Sequence, residues 1–217
     1  MSAFKNIWKI KELRERIIFT LGLVFICRML AIVPTPGVDA SALADAIKSA
    51  QQTAAGGLMG TFDLFTGGAL RRISIGTLGI WPFITSSIII QLMTAIIPAL
   101  ERMAREGEAG RQRLNQITRY LTLVICAFQS LGIVTLLQNP SALGLTNARL
   151  VLNPGFGFTV MTVLCITAGT MLTMWLGEQI TERGIGNGTS IIIMINICVR
   201  LPQSFLETIY GFIPAGG

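Results

Sequence analysis

Gly56–Leu100 reads GGLMGTFDLFTGGALRRISIGTLGIWPFITSSIIIQLMTAIIPAL, and it falls into two unlike parts. From Ile73 to Leu100 the chain carries no charge over 28 residues, enough to cross a bilayer core of ~30 Å as a helix. From Gly56 to Arg72 it is amphipathic and broken by glycine. A dozen residues there reach only ~18 Å as a helix. A short helix that cannot span, joined to a long one that can, suits a segment dipping into a membrane cavity. Irregular backbone at that depth survives only where protein or water covers it. The stretch points to a membrane protein with a water-accessible cavity.

The rest of the chain agrees in composition. It is 52% hydrophobic and 13% charged, with a mean hydropathy of +0.65, which excludes a disordered chain and argues against an ordinary soluble domain. The net charge of +6 raises nucleic acid as a partner. The basic residues, however, sit in short clusters between apolar spans with few aromatics among them, so no direct nucleic-acid recognition is expected. Cys27, Cys126, Cys165 and Cys198 are far apart, each inside an apolar stretch. They read as small buried hydrophobes without a disulfide framework. There is no histidine; no metal, cofactor or enzymatic centre is expected.

Outward from the opening stretch, five spans are legible. Residues 1–16 form a basic amphipathic segment around Trp8, and 17–33 form the first span, stopped by Pro34-Thr35-Pro36-Gly37. A cleaved signal peptide competes here, with Ala42–Ala44 as its cleavage motif. Arg28 interrupts the apolar run and the motif lies beyond the Pro-Thr-Pro turn, so an uncleaved helix is preferred. Residues 34–55 form an external loop. After 73–100 come a charged loop at 101–119, a third span at 120–137, a fourth at 156–176 and a fifth at 189–210. Lys5, Lys9, Lys11, Arg14, Arg16, Arg102, Arg105, Arg111, Arg113, Arg119 and Arg183 fall on one side of this arrangement, against Lys48 and Arg149 on the other. The positive-inside rule makes the first side, with the N-terminus, cytoplasmic.

Three spans carry polar stripes at helical spacing. They are Thr77, Ile80, Ile84, Ser87 and Gln91; Thr122, Cys126 and Gln129; and Thr189, Ile193, Asn196 and Arg200. An amide in hydrocarbon without partners costs roughly 2–7 kcal/mol, so these faces either bond to neighbouring helices or line a wet interior. Ile80 and Ile84, one turn apart, and Ile193 could form an apolar collar that excludes water; lipid or core contact is the alternative. Gly169, Thr173 and Gly177 form a small-xxx-small row that predicts close helix packing. Arg28 is expected to snorkel to the outer interface, and Pro82 to kink the second span. Asn187-Gly188-Thr189 fits a glycosylation sequon but lies on the cytoplasmic side, and the glycines from Gly184 to Gly188 predict a tight turn.

The strings TFDLFTGGALRRISIGTLGIWPFITSSIIIQLM and MWLGEQITERGIGNGTSIIIM, with PTPGVD and EGEAGRQRLNQITRYLTL in the same order, resemble bacterial SecY, the large subunit of the Sec protein-conducting channel. The resemblance covers nearly the whole chain and corresponds to the N-terminal half of that family, the chain ending outside near the hinge between halves. It implies an all-α fold of five transmembrane helices plus a short re-entrant plug helix. It also implies a pore ring containing Ile80, Ile84 and Ile193. The plug would comprise Leu58, Met59, Gly60, Thr61, Phe62, Asp63, Leu64, Phe65, Thr66, Gly67, Gly68, Ala69, Leu70, Arg71 and Arg72. Thr85, Ser87, Gln91 and Gln129 correspond to polar contacts at a lateral gate, through which hydrophobic segments leave for lipid.

The implied function is passage of unfolded polypeptides across the bacterial inner membrane, without chemistry at a covalent centre. The implied partners are the C-terminal half of the channel, the small subunits SecE and SecG, the SecA motor, the ribosome, polypeptides bearing signal sequences, and lipid. Two other readings stay open. Half of a secondary transporter would use broken helices in the same way, yet the first four expected spans hold no Asp or Glu and the fifth holds only Glu207, near its end. A non-conducting scaffold or truncated product would need a partner half for stability.

Overall fold

The computed structural model describes residues 10–38, 66, 68–69, 73–139, 151 and 154–212. Apart from two isolated bridges, their regular structure is helical. In chain order the helices are α1 (Lys11–Ile32), α2 (Trp81–Ile96), α3 (Pro98–Arg105), α4 (Glu108–Gln138), α5 (Phe156–Arg183) and α6 (Gly188–Phe212).

The interior is built from small and hydroxyl-bearing residues. On α4 the buried row is Gly110, Thr118, Thr122, Cys126, Ser130, Val134 and Leu137, which from Thr118 onward follows the i+4 ridge with a last step of three. On α5, which packs against α1, α4 and α6, Thr162, Ile166, Gly169, Thr170, Thr173 and Gly177 are buried. Ile166, Leu176, Ile180 and Ile192 are buried with them, but many large apolar side chains point outward, with Phe156 85% and Phe128 73% exposed. In water that arrangement would strand the hydrophobic driving force on the surface. In lipid it is the expected one, because tails solvate the outside and close backbone approach holds the inside.

Glycine makes that approach possible in α5. A Cβ on Gly169 would overlap the carbonyl of Ile75, and one on Gly188 at the start of α6 would overlap the carbonyl of Gly177. The expected packing role of the Gly169-Thr173-Gly177 row is met, and all three residues are buried. Thr173 returns its hydroxyl to the Gly169 carbonyl at 2.8 Å, so that hydroxyl is met within its own helix.

The uncharged run 73–100 is not one helix. Residues 73–80 form successive turns, and α2 begins only at Trp81. Pro82 falls in its first turn, where the missing N–H costs no helical bond, so it starts the helix instead of kinking it. Ile97, directly before Pro98, is extended (φ −97°, ψ 112°), the conformation that a following proline imposes. There the chain turns by 103° into α3. The turn segment is held by the residues just after α1: the N–H of Thr35 donates to the carbonyl of Ile73 at 3.0 Å, and that of Ile75 to the carbonyl of Val33 at 3.0 Å.

Among the described residues, α4 and α5 are long and apolar enough to cross a membrane, and the bent pair α2–α3 makes a third if it counts as one span. In α6 the qualifying apolar stretch is only Gly188–Val199. In α1 the charges of Lys11, Glu12, Arg14, Glu15 and Arg16 occupy the first turns.

Candidate functional site

Two features meet at the centre of the bundle. The first is an apolar cluster. Ile80 just before α2, Ile180 on α5 and Ile192 on α6 form its buried heart, and Leu23, Val24 and Cys27 of α1 and Phe83, Ile84, Ile191 and Ile193 pack on it half-buried. The three isoleucines singled out in the sequence, Ile80, Ile84 and Ile193, thus come together in one cluster, with Ile84 and Ile193 at its more open edge.

Ile180 and Ile192 were not singled out. Within the run Ile191–Ile193 no apolar contrast marks which residue faces inward. The signal is instead the row Gly188, Ile192, Asn196, spaced by four and buried throughout. Thr189 and Ile193 flank that row.

The second feature is a polar recess of about 380 Å³ bounded by α2, α4, α5 and the start of α6. Ser87 and Gln91 line it from α2, Asn115 and Arg119 from α4, and Glu178 and Thr181 from α5. Arg119 grips Glu178 with a fork: Nε donates to Oε1 at 3.0 Å and Nη2 to Oε2 at 2.7 Å. Such two-pronged pairs fix orientation as well as charge. Asn187 is the cap of α6. Its Oδ1 accepts from the N–H of Thr189 at 3.0 Å and of Ser190 at 3.4 Å, and from the Thr189 hydroxyl. The sequon asparagine therefore has a structural task. Phe83 and Gly177 touch both features: each lines the recess, Phe83 packs on the cluster, and a Cβ on Gly177 would lie 3.4 Å from the Cδ1 atoms of Ile80 and Ile192.

Of the four expected seam residues, Ser87 and Gln91 line the recess together. Thr85 instead donates to the carbonyl of Trp81 at 3.2 Å. Gln129 has an enclosed Oε1 that meets no donor among the described residues. Its stripe companions Thr122 and Cys126 are fully buried between helices, so that face is a packed seam and not a wet wall. Cys198, expected inside, is exposed. Of the plug stretch, only Thr66, Gly68 and Ala69 are described; Leu58–Phe65, Gly67, Leu70, Arg71 and Arg72 lie outside the described residues, as do 1–9 and most of the loop 34–55. Ala69 is fully buried, and its carbonyl accepts from the Ser74 N–H at 3.1 Å.

Arg28 departs from expectation. It does not snorkel outward; its Nη2 donates across to α6, to the Ile195 carbonyl at 3.1 Å and to Asn196 Oδ1 at 2.9 Å. An acceptor pair within reach in the bundle satisfies the guanidinium there. The side chain of Arg200, the last residue of the same stripe, lies outside the described residues.

A family model described as SecY matches residues 74–215. The chain is 48% identical over 199 residues to the protein translocase subunit SecY of Buchnera aphidicola subsp. Acyrthosiphon kondoi, covering 91% of this chain and 53% of that protein. The subunit of the same name from Escherichia coli (strain K12) is 47% identical over 199 residues, 91% of this chain and 43% of its own. That of Vibrio cholerae serotype O1 is 44% identical over 200 residues, 92% and 43%. The chain spans about half the length of the curated relatives it matches. With its outward-facing apolar helices, it is a multi-pass membrane protein. Packing turned apolar side out, an isoleucine cluster below a polar recess, and this identity along the chain's length lead to one conclusion: the chain belongs to the SecY family.

Proposed function

We propose that this chain supplies the N-terminal half of the pore, plug and lateral gate of a protein-conducting channel in the bacterial inner membrane, with five spans and its N-terminus in the cytoplasm. The observation that carries the reading is the junction, through Phe83 and Gly177, of a polar recess with an isoleucine cluster. A recess lined by amides, hydroxyls and one fixed ion pair keeps water beside an entering chain. The isoleucines beyond it disfavour water and ions at rest. Apolar contact has no directional demand, so the same side chains can close around an extended polypeptide of any sequence. An α-helix with its side chains is already ~10–12 Å wide, which favours passage of unfolded chains. Ile80, Ile84 and Ile193 are the ring residues in this reading.

Residues 58–72 act as the plug and the α2–α4 side as the gate, where Thr85, Ser87, Gln91 and Gln129 meet a departing hydrophobic segment. Relatives carrying the name protein translocase subunit SecY support the assignment. Its partners are then the C-terminal half, SecE, SecG, SecA or the ribosome as the source of drive, signal-bearing substrates and lipid. No covalent catalysis is involved. The test is ion conductance of the complete channel in lipid. Replacing both Ile80 and Ile84 by glycine is expected to raise resting leak, because it opens an apolar constriction to water. Conductance at the unsubstituted level removes the collar from the mechanism.

A further inference from the structure

Arg28 lies four residues before the end of α1 and reaches two acceptors on consecutive residues of α6, the Ile195 carbonyl and Asn196 Oδ1. Asn196 is 7% exposed. Val24, Cys27, Ile192 and Ile195 close around the contact and leave no room for a water molecule. A guanidinium carries five donors and no acceptor, and the donors turned away from water have to be met by protein. Asn196 stands one turn beyond Ile192 and three residues beyond Ile193, on the same side of α6. On α1, Val24 and Cys27 belong to the cluster that holds those isoleucines. The polar clasp is therefore the end of the apolar cluster.

We propose that Arg28 is a positioning residue: by clasping Asn196 and the Ile195 carbonyl it fixes the rotation and height of α6 against α1, and so keeps Ile192 and Ile193 in the isoleucine cluster. The inference rests on the collar reading given above. Apolar packing alone would let α6 turn or slide, because it lacks direction. Turning α6 by one residue, about 100°, carries the Asn196 amide out of reach of α1. Two acceptors on consecutive residues of α6, met by a planar guanidinium, favour one register. Lysine, with a point charge, would fix it less well.

The experiment uses the complete channel in liposomes, with Cys27 kept, the other native cysteines replaced and Ile195→Cys added. Oxidative cross-linking of Cys27 to that cysteine reports the α1–α6 register, and resting conductance reports the collar. Arg28→Met and Asn196→Leu are expected to lower the cross-link yield and raise leak, each by roughly tenfold, the factor that follows from losing hydrogen bonds to a charged group. Arg28→Lys is expected to recover part of both, and Asn196→Asp, which keeps the acceptor, to match the unsubstituted channel even where Arg28→Met does not assemble. Unchanged cross-linking in Arg28→Met, or leak from Asn196→Asp equal to that of Asn196→Leu, overturns the proposal. Ile84→Gly runs beside them: if it leaks while Arg28→Met does not, the positioning role alone falls. If Ile84→Gly is also tight, the collar reading falls.

Discussion

Gly169 shows how much one missing carbon decides here. Its helix reaches the backbone of Ile75 so closely that any Cβ would overlap a carbonyl, and a carbonyl in a turn held by Thr35 and Val33 cannot easily move aside. Gly169→Ala is therefore expected to destabilise the bundle by about 1–3 kcal/mol, the usual cost of overpacking. Gly132, in the middle of α4, has nothing within 4 Å of a built Cβ. Gly132→Ala is expected to stabilise by about 0.4–1 kcal/mol through helix propensity and a restricted unfolded chain. Thermal unfolding midpoints of the two variants in the same detergent give the comparison, and a Gly169→Ala midpoint at or above that of Gly132→Ala contradicts the packing assigned to α5. The Gly169 row was legible because small residues four apart have few other uses in an apolar helix. Arg28 was not, since hydropathy registers the depth of a charge and says nothing of which neighbour waits for it.

Helix limits follow from a few local rules, and the misread stretch marks where those rules compete. Residues 73–100 are uncharged, and the absence of charge measures burial in lipid without measuring helicity. Gly76, Gly79, Pro82 and Pro98 carried the missing information. Gly79 takes φ +54°, a value glycine adopts at no steric cost, and Pro98 extends Ile97 and ends α2. By contrast, α5 starts at Phe156 directly after Pro154-Gly155, where the same punctuation stood alone. Position within the helix decides what proline does, and a pair of variants tests that. Pro82→Ala is expected to cost less than about 1.5 kcal/mol, since it alters packing and no backbone bond. Ser86→Pro, one turn further in, is expected to cost about 3 kcal/mol or more, because it removes the N–H that would reach Pro82 and with it the Ser86 hydroxyl bond to the same carbonyl, 2.8 Å long. Folded yield and unfolding midpoint distinguish the two; equal penalties contradict the boundary at Trp81.

At the scale of the whole molecule the chain is sorted twice, apolar side chains outward toward lipid and charge toward one end. The second sorting makes orientation testable. Arg111 and Arg113 are exposed in the first turns of α4, and the turn between α3 and α4 carries Glu106 and Gly107. The far end of α4, Asn139, is exposed too. The helix between them has 31 residues, about 46 Å at the usual rise, so its ends reach opposite surfaces of a bilayer. Basic residues outnumber acidic ones around the first end, and in the proposed orientation that end faces the cytoplasm. In a channel with the native cysteines replaced, Arg111→Cys is expected to react with a membrane-impermeant maleimide only in inverted vesicles. Asn139→Cys is expected to react only in right-side-out ones. The ion pair of Arg119 with Glu178 lies in the first half of α4 with its arginine half-exposed, and solvent screening holds its contribution to about 0–1 kcal/mol. Orientation is thus carried by the summed charge at insertion and hardly at all by that contact, so Glu178→Gln is expected to leave the labelling pattern intact. A reversed pattern for Arg111→Cys and Asn139→Cys inverts the topology, and with it the side from which the polar recess is entered.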